Sequence, residues 1–210
     1  MSESADVLLV SAGVVHPPLT GWVWLWRFLA RLDEFRVRRV SSLEALPRMN
    51  MRRYRGLVLY YHHASISEAA LGALDSFVSG GGGALAIHSA TASFKEALRY
   101  FEILGGRFTG HGPVAAFDVR PASPTDEIFG GIPPFRVRDE LYLHELVSDI
   151  DVHFLAEHEG EPVPVVWTHR HGKGRVCYAC PGHRTESLQV PAMREILRRG
   201  LTWVCREEET

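Results

Sequence analysis

The chain has 210 residues, 46% of them apolar, with 23 basic and 25 acidic side chains and a formal net charge of −2. That length suits one domain with a self-sustaining core, and the balanced charge gives no electrostatic basis for nucleic acid or an anionic membrane as partner. Three cysteines do not make a disulfide framework, the first residues show no signal-peptide pattern, and no apolar run approaches the ~20 residues of a membrane span; a reduced, cytoplasmic protein is expected.

Asp6 to Val10 is a short apolar run that reads as a buried first strand. The loop Val14-Val15-His16-Pro17-Pro18 follows, and Thr20 can cap a helix to about Leu32 with Trp22 and Trp26 on one face. Arg36 to Val40 reads as a second strand and Gly56 to Tyr61 as a third. Ser65-Ile-Ser-Glu68 has the pattern of a capping box. The helix it opens carries Ala70, Leu71, Leu74, Phe77 and Val78 on one stripe and stops at Gly80. Ala84 to Ile87 is a fourth strand, and a helix is expected from about Ser93 to Phe101. This alternation predicts parallel strands covered by helices.

The second half reads differently. Gly105 to Gly112 looks like a loop, Val114 to Val119 like a strand, and Pro121 to Pro134 like a long surface connection. Asp151 to Ala156, Val163 to Thr168 and Arg175 to Cys180 are strand-like, with a turn over Arg170 to Gly174. A last helix begins near Val190 or Pro191, and residues 206–210 read as a frayed polar tail.

Ligands of such sheets bind beyond the carboxyl ends of the strands. Four strands end near imidazoles there: His16, His62 with His63, His88, and His183. His88 follows a strand at a turn that exposes its side chain, or it merely caps the next helix. His111, between Gly110 and Gly112, is a site residue or an exposed loop histidine. Glu140 is a base, a ligand or a solvated carboxylate. His183 transfers protons, binds metal or packs against the last helix. Cys177 and Cys180 form C-x-x-C, but residues three apart on a strand face opposite ways, so they read as core. Trp22, Trp24 and Trp26 suit a core or subunit contact better than sugar stacking. Gly80 to Gly83 precedes its strand, so it is a helix stop and not a phosphate loop.

Several segments together resemble the trehalose-utilisation (ThuA-like) family. They are Gly82-Gly-Ala-Leu-Ala-Ile-His-Ser-Ala90, Leu104-Gly-Gly-Arg-Phe-Thr-Gly-His111, Asp139-Glu-Leu-Tyr142, Pro164-Val-Val-Trp167, Gly172-Lys-Gly-Arg-Val176 and Gly182-His183. The resemblance implies one ThuA-like domain over residues 1–210. Its fold would be α/β, a flavodoxin-like three-layer sandwich of the class I glutamine-amidotransferase-like type. The sheet would be mostly parallel, with added antiparallel strands in the second half. It also implies a role in using trehalose or a related disaccharide or keto-sugar. Amidotransferases of this fold place a Cys at the turn where this chain has His88 and Ser89, so no glutaminase activity is expected.

The residues carried over as catalytic are His88, His111, Glu140 and His183. His16, His62, Ser89 and Arg175 are expected as sugar-binding groups around them. If a divalent metal such as zinc is present, His88, His111 and His183 are its expected ligands. Three functions remain open: a sugar-active hydrolase or isomerase, a Ser89–His183–Glu186 hydrolase, and a non-catalytic sugar-binding or regulatory module. The expected partner is a small-molecule sugar, with no nucleic acid and no membrane, and a homodimer is compatible with this fold.

Overall fold

The computed structural model describes residues 4–13 and 17–206. Strands β1 (Ala5–Ser11), β2 (Phe35–Val40), β3 (Gly56–Tyr60) and β4 (Gly83–Ile87) alternate with helices α1 (Leu19–Leu29) and α2 (Glu68–Ser79). Then come α3 (Leu98–Leu104), β5 (Gly106–His111), β6 (Ala115–Pro121), β7 (Phe135–Asp139) and β8 (Tyr142–Leu146). The chain closes with β9 (Asp151–His158), β10 (Glu161–His171), β11 (Gly174–Ala179), α4 (Thr185–Gln189) and α5 (Pro191–Val204).

Nine strands form one sheet in the order β2-β1-β3-β4-β11-β10-β9-β6-β7. The first five of that order pair in parallel, which is the flavodoxin-like arrangement. The remaining four pair antiparallel. Every residue of β3 and β4 is buried, as expected of central parallel strands covered on both faces. Helices α2 and α5 both pack on β4 and β11. The glycine run serves that packing: a Cβ on Gly83 would lie 2.2 Å from the Val204 carbonyl oxygen, and one on Gly82 would meet the Phe77 ring. Gly80 ends α2, as the sequence predicts.

Several local expectations are corrected. Gly105 to Gly112 is largely strand, because β5 pairs antiparallel with β8 in a separate two-stranded sheet. The helix expected from about Ser93 to Phe101 begins only at Leu98, as α3, and a 3₁₀ turn over His88–Ala92 precedes it. The cap of α2 is Ser67, not Ser65, and its hydroxyl accepts from the Ala70 N–H at 3.2 Å. Glu44, distant in sequence, takes the part of the capping-box carboxylate by accepting from the Ser67 N–H and Oγ at 2.8 and 2.6 Å. Helix α1 begins after Pro18, and the Thr20 hydroxyl instead pairs with that of Thr185 at 2.7 Å. Helix α4 has no counterpart in the sequence reading. The expected tail at 206–210 lies mostly outside the described residues, as does His16. Among the described residues no helix is long and apolar enough to cross a membrane.

Candidate functional site

The site lies at the carboxyl ends of β4 and β11, where the connection between β7 and β8 crosses them. His88 is the first residue after β4 and is fully buried. Its φ of 47° lies in the left-handed region, rarely adopted by a residue with a Cβ. The turn is held from several sides. The His88 carbonyl accepts from Thr91 Oγ1 at 3.1 Å and from the Tyr178 hydroxyl at 3.2 Å, and the Tyr142 ring lies 4.0 Å from the His88 ring. Gly182 is needed for close approach, since a Cβ there would sit 2.8 Å from the His88 Cβ.

The His88 ring has a defined tautomer. Its Nδ1 lies 2.8 Å from the Cys180 carbonyl oxygen, which can only accept, so Nδ1 carries the proton. Its Nε2 then faces Glu140 Oε2 at 3.5 Å and is buried without a hydrogen-bond partner among the described residues. His183 Nδ1 lies 3.3 Å from that same oxygen. His111 Nδ1 lies 3.8 Å from the other one, Oε1, and 2.7 Å from the Gly112 carbonyl oxygen. One carboxylate thus meets three imidazoles, two at its inner oxygen and one at its outer oxygen.

Side-chain exposure rises from 1% at His88 through 10% at Glu140 and 21% at His183 to 38% at His111, so the cluster runs from the interior to the surface. Burial pushes the Glu140 carboxyl up, but the facing imidazoles of His88, His183 and His111 outweigh it, and the carboxyl sits below its ordinary range. Burial, with the charge of nearby His88, pushes His144 down to about 3, so this ring stays neutral beside Thr91.

Asp139 is the residue the sequence reading missed. It is fully buried, and its Oδ1 accepts from the N–H of Glu140 at 2.8 Å and of His183 at 3.0 Å. Its Oδ2 accepts from Gly182 and Arg184, both at 3.2 Å. It therefore ties the backbone that carries Glu140 to the backbone that carries His183. The motif Asp139-Glu140 was visible, but nothing local distinguishes a clamp from a surface acid.

The other expected residues are scattered. Arg175 is corrected outright: it lies at the amino end of β11, paired with Gly83, and donates to the Arg206 carbonyl. Ser89 is buried beside His88, with its Oγ unpartnered among the described residues. His62 is exposed on the loop after β3. Glu186 is 70% exposed and pairs with Arg184, so the carboxylate that faces His183 is Glu140. Trp22 lies under Arg39 and Trp24 stacks on Phe28. Cys177 Sγ approaches α5 at Gly200, whereas Cys180 Sγ accepts from the Tyr142 N–H, so the two thiols do serve opposite faces. A cavity of about 500 Å³ lined by Leu46, Tyr54, Phe77 and Gly80–Gly82 opens at the amino ends of the strands, and no imidazole or carboxylate lines it.

Residues 6–204 match the ThuA family, described as trehalose utilisation. The chain belongs to the ThuA family. Its fold is shared with a ThuA-like protein from Parabacteroides merdae, at 18% identity and a TM-score of 0.85, over 99% of this chain and 92% of that one. A ThuA-like protein from Bacteroides uniformis is similar at 17% identity and a TM-score of 0.81, over 97% and 93%. A cytoplasmic protein from Salmonella typhimurium is similar at 15% identity and a TM-score of 0.63, over 97% and 100%. A comparison with curated proteins finds no match. At these identities the likeness to solved structures is one of fold. In this ThuA chain the site therefore has to be judged by its own residues.

Proposed function

We propose that this ThuA protein is a carbohydrate-active enzyme, a hydrolase or isomerase acting on trehalose or a related disaccharide or keto-sugar. Proton transfer at Glu140 is the centre of its chemistry. The observation that carries this reading is the Glu140 carboxylate, 10% exposed and within 3.8 Å of three imidazoles. Facing imidazoles hold the carboxyl ionised at neutral pH, and its place at the mouth of the cluster, not its basicity, suits it to take a proton from a sugar hydroxyl or from the carbon beside a keto group. His111 commits Nδ1 to Gly112, which leaves Nε2 as its basic nitrogen at the exposed end of the cluster. It is the group placed to exchange that proton with solvent or with the leaving oxygen. The inner oxygen faces His88 Nε2 at 3.5 Å and His183 Nδ1 at 3.3 Å, which leaves Oε1, on the His111 side, as the oxygen for proton transfer.

The partner is a small sugar; no nucleic-acid or membrane partner and no glutaminase step is proposed. The Ser89–His183–Glu186 alternative loses its orienting carboxylate to Arg184.

The test is turnover of trehalose and of its keto derivatives, followed by NMR, for the full chain and for Glu140→Gln. Conversion that falls by about 10²-fold or more in a folded variant supports the reading. Sugar binding without conversion identifies a binding module instead. Neither binding nor conversion removes the carbohydrate assignment.

A further inference from the structure

We infer that His88, Glu140 and His183 form a binding site for one divalent first-row transition-metal ion, with His111 outside the ligand set. The inference concerns the site on which the sugar-active reading rests, but it needs no substrate.

The distances are the first argument. One ligand atom from each of the three residues lies within 4.8 Å of the others. The two that involve Glu140 Oε2 are 3.5 Å to His88 Nε2 and 3.3 Å to His183 Nδ1. Well-made charge-assisted hydrogen bonds are shorter, about 2.7–2.9 Å. Neighbouring ligands about 2.0–2.2 Å from a shared metal ion lie roughly 3.0–3.5 Å apart. The spacing therefore fits atoms that meet through an ion better than atoms that meet directly.

The tautomer is the second. With its Nδ1 proton given to Cys180 O, the His88 ring has only Nε2 left to offer, and it turns that nitrogen towards a carboxylate oxygen 3.5 Å away in a buried setting. A buried ring nitrogen without a hydrogen-bond partner costs free energy. A cation between the nitrogen and the oxygen removes that penalty. An N–H given to a backbone carbonyl on the far side of the ring is also the usual support for a metal-binding imidazole.

The third argument is the surrounding charge and rigidity. Asp139 adds a second carboxylate next to the site, accepting from four backbone N–H groups, and it fixes the backbone of two of the three ligands. Two imidazoles and one carboxylate leave coordination positions open for water or substrate oxygens. His111 does not belong, because its Nδ1 is taken by Gly112 and it lies beyond the grouped ligand atoms.

The experiment titrates the chelator-stripped full chain with Zn(II) in competition with a chromophoric chelator. It also records the visible spectrum after loading with Co(II). Expected is one equivalent of Zn(II) and a protein-bound Co(II) spectrum. His88→Ala and Glu140→Gln each weaken Zn(II) by about 10-fold or more, with unchanged circular dichroism, while His111→Ala changes affinity by less than about 3-fold. Binding that survives in both His88→Ala and Glu140→Gln, or no stoichiometric binding by the native chain, overturns the inference, and so does a loss confined to His111→Ala. One equivalent of metal without sugar turnover would remove the function proposed above and leave this site standing. Sugar turnover by a chain that binds no stoichiometric metal would do the reverse.

Discussion

Replacing Asp139 with Asn would expose how much of the site rests on one buried carboxylate. Its two oxygens accept four N–H groups, from Glu140 and His183 on one side and from Gly182 and Arg184 on the other. An asparagine of the same shape has one acceptor oxygen and one NH₂ group. Whichever way the amide turns, its NH₂ faces two backbone donors and leaves both unsatisfied in a fully buried site. Each orphaned group costs about 1–3 kcal/mol, so the variant should lose about 2–6 kcal/mol. For a chain of this length that lowers the melting temperature by roughly 4 °C at the least. Urea unfolding of the native chain and of Asp139→Asn, compared at equal slope, measures the difference. A loss below about 1 kcal/mol would show that the four contacts are not made together.

Gly182→Ala places a methyl group 2.8 Å from the His88 Cβ and 3.0 Å from the Ile87 Cγ2. Overpacking of this kind costs about 1–3 kcal/mol and should displace the His88 ring, so Zn(II) affinity falls with stability; a variant with native melting and native metal affinity would refute the close approach. Glu195 is held by Arg198 and Arg199, and its carboxyl drops from 4.5 to about 2. A carboxyl depressed in the folded state adds stability that is present above 4.5 and is lost as pH falls towards 2. The urea midpoint should therefore decline over that range, and the decline should be shallower in Glu195→Gln; identical profiles would mean the pair contributes nothing. Removing the thiol in Cys177→Ser should leave Zn(II) affinity unchanged, because that side chain faces α5 at Gly200; weaker metal binding by a variant of native stability would place Cys177 on the site side of the sheet.

Much of the fold was legible in the sequence because the signals that specify it are local. Apolar runs at 6–10, 56–61 and 84–87, separated by a helix-period stripe ending at Gly80, can satisfy their burial only as parallel strands under helices. His88 was legible as a site residue for the same reason: a polar ring at the end of a buried strand must lie where ligands reach such sheets. The tertiary structure decided what depends on partners far along the chain. The glycines of 105–112 have no strand signal of their own and become β5 through pairing with β8. Arg175 shares a strand with the approach to His183 but sits at the wrong end of it, about 3.3 Å further away for each residue of rise. Glu186 is nearer to His183 in sequence than Glu140 is, yet Glu140 faces the ring, because β7 and the Asp139 clamp carry it there. Strand periodicity is written in neighbouring residues; a carboxylate shared by imidazoles from three separate strand ends arises only when long-range contacts close the fold.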